Sequence, residues 1–111
     1  MAQLNNEILS YSGGDADMQG YLAWDESFEG PRPGVLVAHE WWGCNDYARR
    51  RANMLAELGY VALAMDLYGG GVTADNPDQA GQLMNGLLGD LEILRARFDA
   101  ALATLRAHEN V

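Results

Sequence analysis

The stretch His39-Glu40-Trp41-Trp42-Gly43-Cys44-Asn45 concentrates more reactive and recognition chemistry than any other segment of the chain. Glu40 is its first candidate for acid–base work: a carboxylate half-shielded in a cleft has its pKa raised and can handle a proton. Backbone N–H groups at a strand-to-helix turn can hold a developing oxyanion. Trp41 and Trp42 are costly to leave in water and can wall an apolar pocket. Plainer roles stand beside these. His39 next to Glu40 can be a satisfied polar pair at a strand end, the tryptophans can be ordinary packing, and Cys44 can be a small buried hydrophobe. His39, Glu40 and Asp66 show no recognised zinc spacing, so no metal is expected.

Other motifs exclude more than they add. Gly69-Gly70-Gly71 invites a phosphate-loop reading, but the chain contains no lysine, and no G-x-G-x-x-G follows the first apolar strand. No nucleotide or other cofactor is expected. Ser10, Ser12, Ser27 and Cys44 all fail the G-x-S-x-G elbow or its cysteine form. The only histidines are His39 and His108, so a full triad cannot be assembled.

The elements that must carry these residues read as α/β. Glu7–Ser12 and Met18–Trp24 form a hairpin, with Gly13-Gly14-Asp15 supplying positive-φ turn residues. Asp25–Pro33 is punctuation. Val35–Ala38 is an unbroken apolar run, which predicts a parallel strand covered on both faces. Its carboxyl end, where open α/β sheets bind ligands, delivers Glu40. Asn45 or Asp46 caps a helix whose stripe is Tyr47, Met54, Leu55 and Leu58; the Arg51 stem lies near it, and Gly59 is the stop. Tyr60–Met65 is a second strand, completing a βαβ unit that ends at Asp66. Asn76, Pro77 and Gln79 look like N-cap, first helical residue and N3 partner of a helix to about Leu88. Asp90 caps a last helix with Leu91, Leu94, Phe98, Ala101, Leu102 and Leu105 on one face, and His108 near its end complements the dipole.

At 111 residues, 49% of them hydrophobic, the chain is expected to be a single domain over 1–111. Sixteen acids against seven bases, all arginine, give a net charge of −9, which argues against nucleic acid. No apolar run is long enough for a membrane span, and the first twenty residues lack the pattern of a secretory signal. One cysteine fits a reducing compartment, so a cytoplasmic location is expected.

Three blocks carry a resemblance. Pro33-Gly-Val-Leu-Val-Ala-His-Glu-Trp-Trp-Gly-Cys-Asn-Asp-Tyr, Arg49-Arg-Arg-Ala-Asn-Met-Leu-Ala-Glu-Leu-Gly-Tyr-Val-Ala and Met65-Asp-Leu-Tyr-Gly resemble the N-terminal half of the dienelactone hydrolase family. The resemblance runs from about Met18 to the chain end and implies part of an α/β-hydrolase three-layer sandwich. It implies hydrolysis of a small ester or lactone, of the carboxymethylenebutenolidase type. In the family the glutamate matched by Glu40 contacts the nucleophilic cysteine and takes part in its activation. The N–H matched by Trp41 helps form the oxyanion hole, and the residue matched by Trp42 lines the substrate pocket. The nucleophile elbow and the triad Asp and His would lie beyond Val111. The family's substrate-holding arginine also lacks a counterpart, since no basic residue stands between Arg51 and Arg95. The resemblance further implies that Val35–Ala38 is an open sheet edge. The chain is therefore expected to be a fragment, inactive alone, completed by another copy of itself or by a C-terminal half. The competing reading is a non-catalytic module that binds small apolar ligands or self-assembles through that edge.

Overall fold

The structure, a computed structural model, describes residues 4–13, 16–108 and 111. Chain order is β1 (Leu4–Gly13), β2 (Ala16–Asp25), β3 (Gly34–Val37), α1 (Asp46–Glu57), β4 (Val61–Ala64), α2 (Pro77–Leu88) and α3 (Leu91–Arg106). The strands form one mixed sheet in the order β1-β2-β4-β3. The β1–β2 hairpin pairs Gly13 with Ala16, β4 lies antiparallel to β2 with Tyr21 opposite Ala64, and β3 lies parallel to β4 with Val35 opposite Ala62. Gly13 does not adopt the positive φ expected of it. The other turn residues of that expectation, Gly14 and Asp15, lie outside the described residues.

Alternation along β4 makes the layers. Val61 and Leu63, continued by Met65, join Leu22 and the α3 residues Ala101 and Leu105 on one face. Ala62 and Ala64 join Ala23, Cys44 and the α1 residues Ala48, Ala52 and Ala56 on the other. Alanine on alanine is what lets α1 lie close to the sheet. This corrects the expected stripe of α1: Tyr47, Met54 and Leu58 are 48%, 48% and 71% exposed, and only Leu55 is half-buried against the sheet. Arg51 is likewise exposed, its guanidinium 5.2 Å from the Tyr47 ring centre. On α3, Leu91 and Phe98 point outward, so its buried stripe is narrower than expected. Because Ala52 is fully buried, Ala52→Leu should lower unfolding free energy by about 1–3 kcal/mol through overpacking. Urea denaturation reads this directly, and an unchanged midpoint would mean the α1–sheet seam has room to spare.

Helix starts fall where capping chemistry places them. Asn45, Asn76 and Asp90 accept N–H bonds from Ala48, Gln79 and Ile93 at 3.3, 2.8 and 3.2 Å. The Gln79 side chain reaches back to the N–H of Asp75 rather than that of Asn76. Gly59 follows α1 at φ +101°, a left-handed position that stops the helix. β3 is half-buried rather than covered on both faces, because it is the edge of the sheet. Among the described residues, no helix is long and apolar enough to cross a membrane.

Candidate active-site loop

The chain leaves β3 at Val37 and turns through residues 38–45 before α1 begins. Gly43 stands at φ +99°, and a Cβ there would meet the Val72 carbonyl oxygen at 2.7 Å, so glycine is required for the turn. The Gly43 N–H donates to the Glu40 carbonyl at 3.1 Å.

His39 is the hinge of this loop. Its Nε2 accepts the Leu67 N–H at 3.0 Å, which leaves Nδ1 to carry the proton and donate to the Glu40 carbonyl at 2.6 Å. The imidazole lies against the Tyr68 ring at 4.8 Å between centres. Tyr68 in turn donates its hydroxyl to the Trp41 carbonyl at 2.8 Å, and the Ala74 N–H donates to the Trp42 carbonyl at 2.9 Å. Three successive carbonyls, those of residues 40, 41 and 42, are thereby held toward the protein. In a trans peptide the N–H points opposite to its C=O, so pinning the Glu40 carbonyl turns the Trp41 N–H away from these partners. No acceptor meets that N–H among the described residues.

Burial pushes the His39 pKa below its ordinary value, and the Glu40 carbonyl and the Asp66 charge oppose that only in part. The neutral form is therefore the folded one. A depressed folded pKa means stability that is complete above about pH 6.5, the ordinary histidine value, and falls as pH drops below it. Stability measured between pH 8 and 5 should show this loss in the native chain and a smaller one in His39→Gln, which keeps an acceptor but cannot titrate.

Glu40 is exposed, not half-shielded as expected. It stands between two concavities that both include His39. The first, of about 230 Å³, is lined by Val37, Trp42, Gly43, Tyr47 and Arg51. The second, of about 290 Å³, is lined by Trp41, Leu67, Tyr68, Met84, Leu87 and Leu88. Trp41 is 37% exposed and meets Trp42 edge-on at 5.5 Å. Cys44 is buried with its Sγ 3.7 Å from the Ala64 carbonyl, and burial, with the Asp66 charge, pushes its thiol up to about 11. It is a packing residue, in keeping with the plain reading.

The residue that sequence reasoning undervalued is Asp66. It is buried, and its carboxylate accepts the N–H groups of Gln19, Gly69 and Gly71 at 3.0, 3.1 and 2.7 Å. Arg97 donates to the Leu67 carbonyl at 2.7 Å, and the Gly70 N–H donates to the Asp17 carbonyl at 2.7 Å. Residues 66–71 are thus held from β2, through Asp17 and Gln19, and from α3, through Arg97, and through Leu67 and Tyr68 they fix the 39–42 loop. The signal available in sequence was an aspartate at a strand end three and five residues before glycines. Beneath Asp66 the Tyr11 hydroxyl accepts the Asp66 N–H at 3.4 Å, and burial holds that phenol up at about 12. His39 and Asp66 are each occupied with backbone N–H groups, and among the described residues no three His, Cys, Asp or Glu gather as a metal set.

Comparison with known proteins agrees with this architecture. The sequence model of the dienelactone hydrolase family matches residues 18–111. The solved protein named m3DLH is 44% identical and superposes with a TM-score of 0.92, over 97% of this chain and 45% of its own. A dienelactone hydrolase-like promiscuous phosphotriesterase from metagenomic libraries is 38% identical with a TM-score of 0.91, over 98% of this chain and 45% of its own. A protein of Aquifex aeolicus (strain VF5), provisionally named a carboxymethylenebutenolidase, is 38% identical over 81 residues, 70% of this chain and 33% of its own length. The chain thus spans about a third to a half of the length of these relatives.

Proposed function

Because this chain belongs to the dienelactone hydrolase family, we propose that it supplies the oxyanion loop and the nucleophile-activating glutamate of a hydrolase acting on small esters or lactones. The observation that carries this is the clamped loop: three carbonyls tied back, with the Trp41 N–H and the Glu40 carboxylate left at the carboxyl end of β3. The Trp41 N–H donates to the oxygen that gains charge as the acyl carbon becomes tetrahedral. Glu40 assists deprotonation of a nucleophile contributed by a segment outside these 111 residues, since no G-x-C-x-G or G-x-S-x-G occurs among them. Trp42 walls the substrate on the side of the first concavity. The single cysteine, buried as a thiol, suits work in a reducing cytoplasm.

The test joins this chain to the portion of m3DLH that lies beyond the matched region, and assays short p-nitrophenyl esters and simple lactones. Turnover dependent on Glu40 is the expected result. A folded hybrid without turnover would overturn the reading.

A further inference from the structure

We propose that the groove between the 39–41 turn and α2 selects the substrate, taking the apolar chain of an uncharged ester and turning away esters that carry a carboxylate. This rests on the hydrolase reading above and names its substrate class. Three features of the groove agree.

The first is what faces it. Met84, Leu87 and Leu88 make one stripe of α2, three and four residues apart, and share the groove with Trp41 and Leu67. Leu87 also packs on the core below, whereas Leu88 is 51% exposed and Trp41 stays partly open. Two large apolar side chains left open on one concavity, beside the groups assigned to the reaction, mark a surface that a ligand covers. Glu40 and Trp41 both belong to its wall, so a chain lying there ends at those groups.

The second is that the polar side chains of the wall are spent on the backbone. Both ring nitrogens of His39 are taken, by the Leu67 N–H and the Glu40 carbonyl, and the Tyr68 hydroxyl donates to the Trp41 carbonyl. A ligand therefore meets ring faces and aliphatic chains.

The third is charge. Among the described residues no arginine lines the groove, and the chain contains no lysine. Arg97 lines a neighbouring hollow that shares Tyr68 and Leu87, but it donates to the Leu67 carbonyl. The acidic side chain in the wall is Glu40, on a chain of net charge −9. A substrate carboxylate entering here leaves water for an apolar groove, with a like charge beside it and no cation to receive it.

Binding is testable on the 111-residue chain itself with two probes that share a hexyl chain, uncharged 2-octanone and anionic heptanoate. The Trp41 indole N–H shift is expected to titrate with 2-octanone, and to need about tenfold more heptanoate or beyond. Leu88→Arg puts a cation at an exposed position in the last turn of α2, where it suits the helix dipole and spares the fold. It is expected to invert the order of the two probes. An unmoved Trp41, equal affinity for both probes, or no effect of Leu88→Arg would each overturn the proposal. In the hybrid enzyme, kcat/KM for methyl octanoate should exceed that for monomethyl octanedioate, its carboxylate-ended counterpart, by about tenfold or more. Equal turnover of the two esters overturns the selection and leaves the hydrolase reading standing. A chain that binds 2-octanone, in a hybrid that cleaves neither ester, keeps the apolar groove and removes the hydrolase reading instead.

Discussion

Asp66→Ala is expected to lower the unfolding free energy of the chain by about 3 kcal/mol or more, since stranding a buried donor costs roughly 1–3 kcal/mol and three donors lose their acceptor. The three are not equal. The Gly69 bond is buried, whereas those from Gln19 and Gly71 are partly buried and can recover some hydration. Asp66→Asn separates shape from charge: it keeps one acceptor oxygen and much of the volume, so its loss should fall between wild type and alanine. Urea unfolding gives these values. The same variants should loosen the 39–42 loop, because Leu67 and Tyr68 are held in place by what Asp66 organises. Indole chemical shifts of Trp41 and Trp42 report that loosening. An alanine variant as stable as wild type would show that the glycine segment finds its own partners in water.

Glu40→Gln, in the hybrid enzyme, is expected to lower kcat on the order of 10²–10⁴-fold with KM little changed, the range by which a positioned acid–base group accelerates proton transfer. Glutamine keeps the size and reach of the side chain but removes its negative charge and with it the ability to take a proton. Such a split, with kcat falling and KM steady, marks an interaction made in the transition state rather than in substrate binding. Trp42→Ala should show the reverse, raising KM by loss of a pocket wall while leaving proton transfer intact. Equal kcat in Glu40→Gln would take Glu40 out of the mechanism and leave the clamped loop as a backbone oxyanion device alone.

Much of this was legible from residues near one another in the chain. Caps act over three residues, so Asn45, Asn76 and Asp90 announced their helices. The blocks around Glu40, Arg49 and Asp66 carried the family, and the family model matches them. The inner face of α1 was misread because large apolar residues usually face a core, whereas a sheet presenting Ala23, Ala62 and Ala64 admits only small partners. No spacing within α1 reveals what the opposing strands present.

The sequence by itself determined the element order, the helix boundaries and the position of Glu40 and Trp41 at a strand end. The tertiary structure alone decided the tautomer of His39, the three N–H partners of Asp66 and the hold of Tyr68 on the Trp41 carbonyl. The physical reason is separation along the chain. The bonds Leu67–His39, Gln19–Asp66 and Tyr68–Trp41 span 28, 47 and 27 residues, and such bonds exist only once the sheet has brought the ends of β2, β3 and β4 together.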